Sequence, residues 1–330
     1  MTNKKLNIGL AGCGHLGKIH CRLLNEIVRE NSSVFFSGVY DIDISKSEKL
    51  SRENNVKCYA SLEEMFDKIN TLIIVSSTSA HFPIAQMALR KDINLFIEKP
   101  VTESHTEAVK LLGLAQDKNI KIQIGHVERF NPALASLAGY RIEPMFIESH
   151  RLAQFNPRGT DVSVIQDLMI HDLDIILHFV KSPIRDIQAN GVKVISGSTD
   201  IANARISFEN GCVANITSSR ISLKKMRKMR IFQPDTYISI DFLNNKSEVF
   251  TLIDSKTEHS ASMSFPLNEN KKIIYLQPET QMNEEINPIK EELKVFFDCI
   301  LNNTEPAVTL EEGIAALEVA DKINNLIIHS

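Results

Sequence analysis

Short apolar runs alternate with amphipathic stretches through the first third of the chain. Residues 6–11 read as a buried strand, and glycines then lead into a helix reaching about residue 28. Residues 33–41 form a second strand that ends in Asp41, with a shorter helix at 44–54. A short strand at 56–59 and a short helix at 61–66 follow, then an apolar, β-branched strand at 72–75. Residues 80–90 and 103–118 are helical, and 93–97 and 121–125 are strands. Strands alternating with helices in this way predict a parallel sheet covered on both faces.

The rhythm changes after residue 125. Helical stretches near 130–138 and 164–179 flank a strand at 145–151. Strands follow at 184–195, 201–208, 212–219, 228–233, 236–241 and 246–252. This succession predicts a mainly antiparallel sheet with helices on one face. Residues 253–270 are polar and read as a loop, 289–301 as a helix, and 309–328 as a longer closing helix. Thr309 suits the N-cap of that last helix, and Glu311 and Glu312 suit its positive end. The expected fold class is α/β plus α+β, with a dinucleotide-binding domain at 1–124 and a second, substrate-binding and oligomerisation domain at 125–330.

Composition narrows the function. The 330 residues are 43% hydrophobic and 24% charged, which is globular, and the formal net charge of −4 argues against a nucleic-acid partner. No apolar run reaches the roughly 18 residues a membrane-spanning helix needs, and no signal peptide is visible at the start. The five cysteines form no CxxC pair and no zinc spacing, so reduced thiols, no metal site and a cytoplasmic location are expected.

The sharpest local motif is Gly12-Cys13-Gly14-His15-Leu16-Gly17, a GxGxxG placed after a strand and opening a helix. Gly12 allows a tight turn, Gly14 lets a pyrophosphate approach the backbone, and Gly17 lets helix and strand pack closely. The exposed N–H groups and the helix dipole favour the negative charge. Asp41 stands where an acid would accept from the adenosine ribose hydroxyls, about 20 residues on. Asp41 and Asp43 would repel a 2′-phosphate, and Lys46 is the nearest cation, so NAD is expected rather than NADP.

Other candidates are weaker alone. Lys99, in Glu98-Lys99-Pro100, follows a strand whose carboxyl end should border a ligand crevice, although lysines at strand ends are common. Asp167 and His171 lie one helical turn apart, with Asp174 on the same side, which suits a proton-transfer unit or a satisfied buried histidine. His126, Glu128, Arg129 and Asn131, and then Arg151, Arg158 and Asp161, could line a substrate or lie in solvated loops. The cluster Arg220, Lys224, Lys225, Arg227, Lys228 and Arg230 reads as a solvated strand face or as a contact for an anionic substrate tail.

Taken together, the glycine motif, Glu98-Lys99-Pro100, Asp167-x-x-x-His171-x-x-Asp174 and the Glu312-Gly313 helix resemble the Gfo/Idh/MocA family of oxidoreductases. That resemblance implies a Rossmann domain and an open, mainly antiparallel sheet that commonly forms the oligomer interface, in a dimer or tetramer. It implies that the closing helix packs back on the first domain. It places Lys99 and His171 at the nicotinamide and the reacting carbinol, with Asp167 orienting substrate or histidine, and implies a cis Lys99–Pro100 bond. The cofactor side is carried over to Gly12, Gly14, His15, Leu16, Gly17, Asp41, Ser77, His81, Glu98 and Lys99. The substrate side is carried over to Lys99, Arg129, Asn131, Arg158, Asp167 and His171. Met169 replaces a glycine common in the family's helix motif, and Ser79 replaces a proline after Thr78.

The stretches 125–132 and 167–174 resemble a subgroup of sugar-nucleotide dehydrogenases acting on the 3-hydroxyl of UDP-N-acetylglucosamine. Its ketone product would pass to a PLP aminotransferase in lipid A or surface polysaccharide synthesis. Alternatives are a dehydrogenase of a free polyol such as an inositol, and a non-catalytic NAD-binding structural or regulatory protein.

Overall fold

The computed structural model describes residues 5–156, 162–257, 263–276 and 286–328. They fall into two compact units, Met1–Val127 with Ile286–Leu317, and Glu128–Glu285 with Glu318–Ser330.

The first unit begins with β1 (Leu6–Ala11), α1 (His15–Glu30), β2 (Val34–Tyr40), α2 (Ile44–Asn54), α3 (Leu62–Phe66) and β3 (Thr71–Ile74). It continues through α4 (Thr78–Leu89), β4 (Asn94–Glu98), α5 (His105–Ala115) and β5 (Ile122–Gly125). The five strands pair in parallel in the order β2-β1-β3-β4-β5. The chain therefore leaves β1 toward one edge and returns past it toward the other. This reversal opens a crevice at the carboxyl ends of the strands. The strand expected at 56–59 is only an isolated bridge between Val39 and Cys58, so Glu98 ends the fourth strand of the sheet. A run that short, with lysine in it, has too little apolar surface to add a full ladder.

Strands buried on both faces explain the continuous apolar runs: Thr71–Ile74 is buried throughout, and Leu95–Ile97 has no exposed surface. The core joins Leu6, Ile8, Leu10 and Phe96 to Leu24 and Ile27 of α1 and to Phe296, Phe297 and Ile300.

The second unit holds α6 (Pro132–Ala135), β6 (Phe146–Leu152), a π-helical turn at Ile165–Met169, α7 (Ile170–Phe179), β7 (Ile184–Val192), β8 (Ile201–Phe208) and β9 (Val213–Ser219). Then come β10 (Met226–Gln233), β11 (Thr236–Asp241), β12 (Lys246–Asp254), β13 (Met263–Pro266) and β14 (Lys271–Leu276). The order is β13-β14-β12-β11-β10-β6-β9-β8-β7, antiparallel except for the β6–β9 pair. Strict alternation of buried and half-buried residues in β6 shows one covered face and one open face. The sequence pattern missed β13 and β14, which fall in or beside the expected 253–270 loop. All four residues of β13 are exposed, so no alternation marks it.

Finally α8 (Pro288–Asn302) packs on α1, and α9 (Leu310–Ile328) opens on a reciprocal cap. Thr309 Oγ1 accepts from Glu312 N at 3.2 Å, and Glu312 Oε2 accepts from Thr309 N at 3.1 Å. A Cβ on Gly313 would meet Ile124 Cγ1 at 2.6 Å, so this glycine permits a close approach of helix to strand.

Candidate active site

In the first unit the glycine turn is built from backbone. Gly12 has φ +107°, a conformation that favours glycine, and its N–H donates to Tyr40 O at 2.8 Å. A Cβ at Gly17 would collide with Gly12 O. A Cβ at Gly14 would meet nothing in the protein within 4 Å. Folding therefore explains Gly12 and Gly17 but leaves Gly14 without an internal reason. Gly14 is also the N-cap of the long α1 and makes no side-chain cap, and His15 and Leu16 beside it are exposed. An open, donor-rich helix start whose glycine clears space only outside the protein fits a dinucleotide pyrophosphate.

Asp41 lies just past β2. Its Oδ2 accepts from Cys13 N at 2.7 Å and its Oδ1 from Asp43 N at 2.9 Å, which fixes the carboxylate against the glycine turn. Asp43 caps α2 through Ser45 N at 3.1 Å and meets Lys46 at 3.2 Å. Burial, with the Asp41 charge next, pushes the Cys13 thiol up to about 12, so it stays protonated.

Ser77 stands at the N-cap position of α4, in the turn after β3, without a side-chain cap bond, its hydroxyl 3.4 Å from that of Ser79. His81 was expected on the cofactor side. It is instead fully enclosed, with Nδ1 3.0 Å from Pro100 O and Nε2 3.2 Å from Ser76 O. Its ring is spent on backbone, so it braces the cofactor-side turns rather than facing a ligand.

Glu98 is likewise buried and turned inward. His20 Nε2–H donates to its Oε1 at 2.8 Å, from the middle of α1. Burial pushes the Glu98 carboxyl up, but the His20 hydrogen bond and nearby cationic charge, that of Lys99 included, outweigh it, so the net shift is down and the group is ionised. Lys99 is half-buried and joined to Pro100 by a cis bond. His20 escaped the sequence reading. Its only signal is a polar residue on the buried face of an otherwise apolar helix stripe with Gly17, Leu24 and Ile27.

In the second unit, Asp167 sits in the π-helical turn and His171 in the first turn of α7, both half-buried. The π-turn shifts their spacing from that of a regular α-helix, and such turns recur at functional sites. Their neighbours on α7 are pinned from below. Arg151 of β6 donates to both Asp172 oxygens at 2.9 and 3.1 Å and to Glu128 Oε1 at 2.7 Å, all three groups being buried. Burial works against the Arg151 charge, but Asp172 and Glu128 raise its pKa further. Burial raises the Asp172 carboxyl despite the arginine.

Arg129, expected to contact substrate, holds Asp174 through two bonds at 2.6 and 2.8 Å, and its side chain is only 6% exposed. It also donates to His178 Nδ1. Asn131, another expected substrate contact, caps α6 through Ala133 N and donates to Glu128 Oε2 and Phe242 O. As placed, both hold the unit together. Arg158, with Asp161, lies outside the described residues. Within the 220–230 cluster Arg220 is buried and donates to Thr199 O at 3.3 Å. Arg227, Lys228 and Arg230 pair with Glu128, Asp241 and Glu148. Among the described residues no group of three or more His, Cys, Asp or Glu could hold a metal ion, and no helix is long and apolar enough to cross a membrane.

Comparison with known proteins places these features. Residues 6–126 match the oxidoreductase family with an NAD-binding Rossmann fold, and residues 142–235 match the GFO/IDH/MocA C-terminal domain. UDP-N-acetylglucosamine 3-dehydrogenase of Acidithiobacillus ferrooxidans is 36% identical over 247 residues, 74% of this chain and 77% of the relative. A solved structure of that enzyme superposes with a TM-score of 0.85 at 28% identity, covering 98% of each chain. The scyllo-inositol 2-dehydrogenase (NAD(+)) of Bacillus subtilis is 25% identical, over 94% of this chain and 93% of the relative.

Proposed function

Because the chain belongs to the Gfo/Idh/MocA family of NAD(P)-dependent oxidoreductases acting on CH–OH groups, we propose that it oxidises the 3-hydroxyl of UDP-N-acetylglucosamine to a ketone. The observation that carries the reading is the 36% identity to a UDP-N-acetylglucosamine 3-dehydrogenase, against 25% for the inositol enzyme. NAD is the proposed cofactor, held by the N–H groups of the Gly12–Gly17 turn and by Asp41, whose charge disfavours a 2′-phosphate.

When bound, the nicotinamide supplies the acceptor for the hydride. The protein's task is the proton and the charge on oxygen. His171 takes the hydroxyl proton, and Lys99 donates a hydrogen bond to the same oxygen and offsets its growing negative charge. Either group can act as acid or base, so the two roles are exchangeable. Asp167 orients the imidazole. Because Arg129 and Asn131 are committed to the scaffold, Arg158 is the proposed contact for the diphosphate. Self-association through the open face of the nine-stranded sheet belongs to the same reading, as does a PLP aminotransferase that consumes the ketone.

The test is a panel of UDP-sugars, free sugars and inositols, with NAD and NADP, followed by NADH absorbance. Turnover of UDP-N-acetylglucosamine with a strict need for the UDP group is the expected result. Faster turnover of a free inositol would move the reading to a polyol dehydrogenase. D41A should weaken NAD binding and narrow the gap to NADP, and unchanged dissociation constants for both would remove that role.

A further inference from the structure

We propose that His81 is a positioning residue for Lys99, acting through a hydrogen bond from its Nδ1–H to the carbonyl oxygen of Pro100. The proposal rests on the reading of Lys99 as the group that faces the alcohol oxygen.

His81 reaches inward from the first turns of α4, with 1% of its surface exposed. Its two ring nitrogens face two carbonyl oxygens, Pro100 O at 3.0 Å and Ser76 O at 3.2 Å. Those oxygens belong to the turns after β4 and β3, at the carboxyl ends of neighbouring strands. A carbonyl only accepts, so each bond made needs an N–H from the ring, and a neutral ring has one. Burial works against the charged ring, while the Pro100 and Ser76 carbonyls, the Glu98 charge and, least of these, the Val101 backbone favour it; burial prevails, and the net shift is down. A neutral ring must therefore choose. The shorter and more deeply buried contact is the one to Pro100.

The opposite side of the same tripeptide is also held by a histidine. His20 of α1 donates to Glu98 Oε1 at 2.8 Å. Glu98 is thus fixed by its side chain from one helix, and Pro100 by its backbone from another, with Lys99 between them. A buried leucine would fill the place of His81 as well as an imidazole. It would not hold a carbonyl on the residue that follows Lys99. Misplacement of a catalytic group by about 1 Å can cost on the order of a hundredfold in rate. The bond should accordingly show in turnover before it shows in cofactor affinity.

Two amide substitutions separate the bonds. In H81N the amide nitrogen can take the place of Nδ1 and donate to Pro100 O. In H81Q it reaches the place of Nε2 and donates to Ser76 O. With the full chain, H81N should keep kcat within about threefold of wild type. H81Q and H81L should lose about tenfold or more in kcat, with KM and the NAD dissociation constant within about threefold. Thermal unfolding confirms that each variant is folded.

Two readouts need no substrate. The rate at which an amine reagent labels Lys99, followed by peptide mass spectrometry, should change in H81Q and not in H81N. The ring nitrogen spectrum of His81 in the wild-type protein should show a protonated Nδ1 and an unprotonated Nε2. Equal labelling across the variants, equal kcat in H81N and H81Q, or a proton on Nε2 alone would overturn the proposal. If no sugar nucleotide is turned over, the reading of the reaction fails, while the labelling and the spectrum still decide the role of His81.

Discussion

At Gly12–Gly17 the working groups are backbone N–H donors, and the residues matter for the side chains they lack. On the π-turn and α7 the proposed working groups are side chains, and their neighbours Asp172 and Asp174 are held by arginines from elsewhere in the chain. Gly14 leaves open space outside the protein, and Asp41 reaches the turn through the Cys13 amide. Arg151 of β6 and Arg129, which follows β5 along the chain, instead hold Asp172 and Asp174, the neighbours of His171. A backbone cradle tolerates surface change but no added methyl at its tight points. A side-chain scaffold tolerates neither the loss of a partner nor the loss of a charge. In a buried ion pair, removing one member strands the other in a medium that cannot solvate it.

The largest effect expected from this contrast is chemical. K99A and H171A should bind NAD as wild type does yet lose about 10²–10⁴-fold in kcat on the true substrate. Near-normal turnover in either would remove that residue from the reaction.

Next comes the buried scaffold. R151M leaves Asp172 enclosed without its cation and Glu128 with only the 3.4 Å contact of Arg227, and should cost about 3–5 kcal/mol in urea unfolding. A loss below about 1 kcal/mol would mean that water reaches those carboxylates and that the contrast is overdrawn.

The two glycines then divide packing from binding. G17A should destabilise the fold by about 1–3 kcal/mol or more, since its methyl meets the Gly12 carbonyl. G14A should unfold at the wild-type temperature but bind NAD about tenfold or more weakly, measured by titration calorimetry. Equal NAD affinity in G14A would show that nothing approaches that turn closely.

The smallest effect is in pH. The folded protein holds His81 below its ordinary pKa, so the unfolded chain binds the extra proton first as pH falls. Stability from this group is present above about pH 6.5 and is lost below it, at a slope of at most about 1.4 kcal/mol per pH unit. H81N should flatten the melting temperature between about pH 6.5 and 5. The depressed Glu98 carboxyl acts in the same direction but only below its ordinary value of 4.5. An identical slope in wild type and H81N would place the acid sensitivity elsewhere.

Most of the first unit was legible from the order of residues because its signals are local. A strand buried on both faces must be continuously apolar, and a turn that admits a phosphate must be glycine. Periodicity likewise located β6 to β12 within a few residues, because one covered face imposes alternation. It failed at the 56–59 bridge, too short to form a ladder, and at the fully exposed β13.

For the site, the sequence could nominate residue types but not their employment. Lys99, Asp167 and His171 stand out by motif. Arg129 and Asn131 look identical on paper whether they grip a substrate or a neighbouring carboxylate. The sequence alone settled where strands, helices and the glycine turn lie, since each follows from side chains a few positions apart. Folding settled that Arg129 holds Asp174, that His20 meets Glu98, and that His81 turns inward to Pro100. Those partners are 45, 78 and 19 residues apart along the chain, and distance in space between such positions is a property of the packed sheet rather than of spacing in the chain.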